Sequence, residues 1–358
     1  MIKKMTFSLL ALLGLLLLYL FFWPVPIDPV AWTPKEIPSL TGVYAPNSKL
    51  AGVKRLEIGE AFGPEDVAVD RQGRIYTGVD DGRILRLQSD GGNTEVFSNT
   101  GGRPLGLEFD LDGNLIVADG IKGLLSIGPS GKVTVLTAEV NGTPINFADD
   151  LDIARDGIIY FSDASTKFSY HDVLLDWFEL RPNGRLLSYD PGTGDTKALL
   201  KDLYFANGVA VSPDQSFVLI NETWKYRVRR YWIEGPDKGQ SDIFIDNLPG
   251  SPDNITCNGK DIFWLALFSG PEARREMDHM LSRPFLRKVI LRLPESLRTV
   301  QMAHVGYVLG LGIDAGVVYN LQDPTGKAYA FITSVTEHEG ALYLGSVFGD
   351  ALGRAPVP

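Results

Sequence analysis

The sequence predicts an all-β protein, a six-bladed β-propeller behind a single N-terminal transmembrane helix. Three observations lead there. Residues 5–23 form a charge-free apolar run. From Val53 onward, short segments rich in β-branched and aromatic residues alternate with two-residue turn signals. Those segments fall into a unit that recurs along the chain.

The apolar run, MTFSLLALLGLLLLYLFFW, has 19 residues. At about 1.5 Å rise per residue it just crosses a hydrocarbon layer of ~30 Å. A cleaved signal peptide would end in small residues, whereas bulky Phe21, Phe22 and Trp23 lead into Pro24 and Pro26. An uncleaved anchor is the expectation. Lys3 and Lys4 precede the run and keep the N-terminus cytoplasmic, which puts the rest in the periplasm or outside the cell. Six prolines follow in residues 24–50 without any sustained period, as suits a tether on a domain surface. The expected organisation is residues 1–27 as cytoplasmic stub and membrane anchor, 28–50 as Pro-rich tether and 51–358 as the propeller domain.

Turn signals punctuate the remainder at Gln72-Gly73, Asp112-Gly113, Asp156-Gly157, Asn258-Gly259 and Glu339-Gly340. Laid under one another, EDVAVDRQGRIYTGVDDGRILRL, PLGLEFDLDGNLIVADGIKGLLSI, DDLDIARDGIIYFSDAS, NGVAVSPDQSFVLINETWKYRVRRY and DNITCNGKDIFWLALFS share one scheme. A polar entry residue, a short strand, a turn and a second apolar strand are read in each copy. The copies begin at 65, 104, 149, 207 and 253, spaced 39, 45, 58 and 46 residues apart, which is the length of a four-stranded blade. A weaker sixth copy, EHEGALYLGSVFGDALGR, is placed at Glu337. A ring must close, and VKRLEIG ahead of the first copy is the expected outer strand of the last blade. A repeat-free β-sandwich is the alternative. Helical patterning within the domain is confined to two insertions, residues 167–184 and 271–290. Both carry aromatic and apolar residues suited to roofing a tunnel mouth.

Composition narrows function. An apolar share of 44% with 22% charged residues excludes a disordered chain. A net charge of −10, or −12 without Lys3 and Lys4, excludes a nucleic-acid partner. The single Cys257 excludes an intrachain disulfide.

In a propeller the residues just before the inner strands converge at one mouth. Here they are Glu65, Asp149, Asn207, Asp253 and Asn254, all oxygen donors with no sulfur or imidazole among them. Such a ring describes Ca2+ rather than Zn2+. The competing explanation for each one is a turn residue, since Asp and Asn are common there.

At these residues the chain resembles a known family. GPEDVAVD, GRPLG, VADGIKGL, FADDLDIARDGIIYFSDASTKF, GRLLSYD, FANGVAVSPDQSFVL, LPGSPDNI and TEHEGALYLGS are similar to the strictosidine synthase-like and adipocyte plasma membrane-associated group. That group lies within the gluconolactonase and paraoxonase superfamily. The resemblance spans roughly residues 40–355. It implies a six-bladed propeller, often membrane-anchored, with calcium in the tunnel and hydrolysis of aryl esters or lactones. Glu65, Asn207, Asp253 and Asn254 match metal-ligand positions. Two departures stand out. Asp149-Asp150 replaces the usual Asn-Asp and adds negative charge, and Leu105 occupies the place of a paraoxonase-type His. Glu337 looks like the base of the plant alkaloid-forming synthases.

The expected activity is membrane-anchored, calcium-dependent hydrolysis of a small-molecule ester or lactone. In it Ca2+ would activate the carbonyl while Asp253 or Asp149 takes a proton from water. A binding-only propeller and an amine–aldehyde condensation using Glu337 are the alternatives. The histidines, His171, His279, His304 and His338, carry no supporting pattern for catalysis. Ser126, Ser162 and Ser165 lack a G-x-S-x-G frame, so a serine triad is unsupported.

Overall fold

A computed structural model describes residues 2–298 and 304–358. Six four-stranded antiparallel sheets form the expected propeller. Their first strands are Ala68–Val69, Pro104–Phe109, Ala148–Ile153, Ala206–Val211, Pro252–Cys257 and Ile332–His338. These pack on one another from blade to blade around the tunnel. The ring closes as the leading strand predicts. Lys54–Glu57 adds to the outside of Ala351–Pro356, with Lys54 opposite Arg354 and Glu57 opposite Ala351. Closure by the N-terminal strand leaves no blade without a neighbour on either face, so each apolar face is buried.

The phase of the sixth copy needs correction. Its inner strand begins at Ile332, and Glu337 lies next to that strand's last residue, opposite Leu342. Glu339-Gly340 is the turn to the second strand, the place Gln72-Gly73 holds in blade one. The residues that lead into blade six are therefore Thr333 and Ser334, not Glu337.

The inner strands of blades two to five share a register break near their start: Pro104/Leu107, Ala148/Leu151, Ala206/Val209 and Pro252/Ile255. A bulge of this kind lets two successive side chains leave the strand's normal alternation. It explains how Asp253 and Asn254, neighbours in sequence, both reach across to other blades. Gly106 and Gly208 occupy the same place in blades two and four. A Cβ on Gly106 would lie 2.6 Å from the Asp150 Cα, and one on Gly208 would lie 2.5 Å from the Asp253 carbonyl oxygen. Where adjacent blades approach this closely only glycine fits.

Both insertions spring from the mouth end. The second strand of blade three ends at Asp163 beside Ala148, and that of blade five ends at Leu267 beside Pro252. Helix α1 is the N-terminal apolar run, Ile2–Phe22, and α2 is Val173–Glu179 in the first insertion. Helices α3, Pro271–Leu281, and α4, Pro284–Leu291, form the second. Their apolar residues, Trp177, Phe178, Met277, Leu281 and Leu291, share one core with Phe217 and Phe263 of blades four and five.

The tether is stitched down by these helices. The Asp28 and Val30 N–H groups donate to the Glu179 side chain and carbonyl at 2.8 and 3.2 Å, and Trp32 N–H donates to the Leu281 carbonyl at 3.1 Å. Arg292 caps the end of α1, donating to the Leu20 and Trp23 carbonyls at 2.8 and 2.5 Å, while Phe21 stacks on Phe285. Helix α1 thus leaves the domain from the insertions, at the mouth end. It is otherwise unburied, with a mean hydropathy of 2.4, long and apolar enough to cross a membrane.

Candidate functional site

The bulges and the loop before Ala68 bring Glu65, Asp149, Asn207, Asp253 and Asn254 together, all buried. Asn207 Nδ2 donates to Asp253 Oδ1 at 2.8 Å, and Asn254 Nδ2 donates to Glu65 Oε1 at 3.0 Å. Each carboxamide thereby spends its nitrogen on a carboxylate and keeps its oxygen free. Four buried oxygens, Glu65 Oε2, Asp149 Oδ2, Asn207 Oδ1 and Asn254 Oδ1, have no hydrogen-bond partner. Buried polar atoms are nearly always partnered, so four from one ring mark a place built for something else.

The electrostatics agree. Burial, then Asp253, Asp66, Asp149 and Asp150, raises the Glu65 carboxyl well above the usual range. Burial and Asp253 do the same for Asp149, with Arg103 opposing. Asp253 is pushed up to about 7 by burial, against the bond from Asn207. A cation between these groups would remove the repulsion and satisfy the free oxygens. Carboxylate and carboxamide oxygens are the donor set of Ca2+. Among the described residues no three or more His, Cys, Asp or Glu form a metal cluster on their own. The two Asn oxygens are therefore integral to the fit.

Blades two and six place Leu105 and Thr333 in the ring. Thr333 Oγ1 donates to the Glu65 carbonyl at 2.6 Å, a structural contact. Leu105 packs with Phe147 and Phe205, against which Tyr170 and Trp224 lie, forming an aromatic wall beside the first insertion. A second group, Phe268, Phe331 and Phe348, clusters at the loops that flank the starts of blades five and six. His304 rests on Phe331, with ring centroids 4.8 Å apart. Of these aromatics the sequence reading reaches only Tyr170, in the first insertion; the position just before the inner strand, held by Phe147, Phe205 and Phe331, was an available signal.

Glu337 is not brought to this ring. It accepts from the Trp264 indole N–H at 2.7 Å and from Asn258 Nδ2 at 3.4 Å, near the far end of the tunnel. That end holds a separate cavity of about 200 Å3, whose wall includes Glu108, Asp152, Cys257, Glu337 and His338. Between the two ends, Asp66 and Asp150 accept the backbone N–H groups of Leu107 and Val209 in the next blades, at 2.9 and 2.8 Å. Asp150, singled out as part of an Asp-Asp pair, is thus a blade-to-blade staple, while Asp149 carries the free oxygen.

The strictosidine synthase family profile matches residues 149–236, and the N-terminal profile of strictosidine synthase-like proteins matches residues 42–87. Adipocyte plasma membrane-associated protein of Mus musculus is 36% identical over 371 residues, covering 96% of this chain and 88% of the relative. Strictosidine synthase-like protein 4 of Arabidopsis thaliana is 36% identical, covering 92% and 88%. Among solved structures, a gluconolactonase from Xanthomonas campestris superposes with a TM-score of 0.62 at 17% identity, covering 93% of this chain and 99% of that one. A calcium-binding regucalcin from Agrobacterium tumefaciens gives 0.60 at 14% identity, covering 85% and 92%. These superpositions establish the common propeller fold. With full-length relatives above one-third identity and its own profile matches, the chain belongs to the strictosidine synthase-like family.

Proposed function

We propose that the protein is a membrane-anchored, calcium-dependent hydrolase of esters or lactones, working at the Glu65–Asp149–Asn207–Asp253–Asn254 mouth. The observation that carries this reading is the set of four partnerless buried oxygens on Glu65, Asp149, Asn207 and Asn254. The gluconolactonase and calcium-binding names of proteins sharing the fold support it. A bound Ca2+ would polarise the scissile carbonyl and balance the charge that develops on its oxygen. Asn207 and Asn254 hold Asp253 and Glu65 in place through their amide nitrogens. Asp253 or Asp149 takes the proton of the attacking water; Asp149 carries no competing side-chain hydrogen bond among the described residues. Leu105, Phe147 and Phe205 give the acyl or aryl part of the substrate an apolar wall and keep bulk water from the carboxylates.

The condensation alternative needs a free carboxylate base in an aromatic pocket. Glu337 is instead engaged by Trp264 and Asn258 away from the mouth, which favours hydrolysis. Helix α1 would span the membrane with Lys3 and Lys4 on the cytoplasmic side, leaving the mouth on the side of the domain nearest the bilayer. The membrane-associated name of the relatives is consistent with that arrangement.

The test is a panel of phenyl acetate and simple γ- and δ-lactones with and without chelator. Calcium-dependent turnover that Asp253→Ala abolishes is expected. Calcium-independent turnover surviving that change would overturn the mechanism, and intact metal binding without turnover would establish a binding-only propeller.

A further inference from the structure

A second cavity, of about 450 Å3, opens between the tether, blade four and α3, with no residue of the mouth ring in its wall. Four cations line it, and three are already neutralised. Lys35 pairs with Asp246 at 2.6 Å and Arg227 with Glu222 at 2.5 Å. Arg274 faces Asp278 at 3.4 Å and donates to Asn247 Oδ1 at 2.6 Å. The fourth, Lys225, makes no ion pair and no hydrogen bond among the described residues, although the Glu222 carboxylate, already bonded to Arg227, lies near enough to favour its charge. Its ammonium sits between two rings, 3.8 Å from the centroid of Trp32 and 4.1 Å from that of Tyr204. Ring faces attract a cation but do not replace its charge partner, and an ammonium carries three donors. Burial first, then the neighbouring Arg227, lower the Lys225 pKa to about 8, with Glu222 opposing.

We infer that this cavity is a binding site for an amphipathic anion, a phosphate or carboxylate head on an apolar or aromatic body. The head would give the Lys225 ammonium the direct acceptor it lacks, while Trp32, Tyr204 and Tyr226 pack on the body. The site is the more telling in a chain of net charge −10, where a cavity with three paired cations and one unpaired cation runs against the overall field. Trp32 lies ten residues beyond the end of α1. The same head-group chemistry is thus offered by a lipid of the adjoining leaflet or by a soluble molecule. The inference does not rest on the hydrolase reading, because no mouth residue takes part.

The experiment is calorimetric titration of the full-length protein in phosphatidylcholine nanodiscs with phenyl phosphate, in chelator so that no tunnel metal competes for it. Saturable binding is expected, weakened at least about tenfold in Lys225→Gln. It should be retained in Lys225→Arg and unchanged in Asp253→Ala. Inorganic phosphate should bind at least about tenfold more weakly than phenyl phosphate, since it offers the rings nothing to pack on. Doping the nanodiscs with phosphatidate separates the sources: competition with phenyl phosphate supports a lipid head group, and undiminished binding supports a soluble anion. Absent binding, or equal affinity in wild type and a folded Lys225→Gln protein, overturns the inference.

Discussion

Two sets of buried acids lie within one strand of each other in this propeller, and they are treated in opposite ways. At the ends of the second strands, Asp119, Asp163 and Glu222 are met by donors, Asp119 through one oxygen only, its Oδ2 being without a partner. Asp119 Oδ1 accepts the N–H groups of Arg103, Ile121 and Lys122 at 2.9, 3.0 and 2.9 Å. Asp163 accepts from Phe147 N–H at 3.0 Å and from Arg185 at 2.9 and 2.5 Å. Glu222 accepts from Tyr204 N–H, Arg227 and Arg229 at 3.1, 2.5 and 3.2 Å. At the mouth no cationic side chain bonds to Glu65, Asp149 or Asp253 among the described residues; Glu65 and Asp253 accept only the Asn254 and Asn207 amides, and each of the three acids is raised above its ordinary range. The first set holds loops to blades. The second is raised by burial without a cationic partner, a cost that the proposed cation would relieve. Burial alone does not separate the two sets of acids; the identity of what faces each one does.

The largest effect is expected from breaking the first set. Asp163→Ala would leave Arg185 buried without its charge partner and the Phe147 N–H without an acceptor. A loss of about 3–5 kcal/mol should appear in chemical denaturation. A midpoint within error of wild type would dissolve the contrast.

The second set should respond with the opposite sign. The Asp149 pKa is raised in the folded state, so its negative charge is a cost at neutral pH. In chelator at pH 7.5 or so, Asp149→Asn should therefore gain stability, and the thermal stabilisation by added calcium should shrink. Destabilisation in chelator would show that Asp149 has partners the contrast denies it.

Glu108 sharpens the comparison through pH. It lines the far cavity, and burial followed by Asp152 raises its pKa from 4.5 to about 8. Its contribution to stability is full below about pH 4.5 and is lost as pH rises through 8. The advantage of Glu108→Gln over wild type should thus grow across that window and level off above it, as followed by thermal melts in chelator. A pH-independent difference would mean that the carboxyl is not held in this field.

The smallest effect belongs to Glu337→Gln. Gln can still accept from the Trp264 indole, so stability should change by less than about 1 kcal/mol. Ester or lactone turnover should stay within about threefold of wild type. A severe loss of turnover with calcium binding intact would restore the condensation reading.

Periodicity along the chain was enough for the blades, their number, the closing strand and the membrane-length helix, because each depends on local alternation, turn residues and length. The leading acids were legible too, since the same repeat position carried oxygen in blade after blade. Glu337 was misplaced for a local reason. Blade six carries Thr333 and Ser334 where blades one, three, four and five carry acid or amide, and without an acid to align on, the nearest carboxylate drew the copy four residues out of phase. Other roles became visible only in three dimensions. Asp149 and Asp150 are adjacent identical residues, and a bulge sends one to the mouth and the other to the Val209 N–H. Asp163 and Asp253 share a residue type and burial, yet only the tertiary structure brings Arg185 to one and Asn207 to the other. Which donor reaches a carboxylate is a non-local fact, set by blade-to-blade approach rather than by any spacing along the chain. Lys225 was invisible to pattern for the same reason: its two aromatic neighbours are 193 and 21 residues away in sequence.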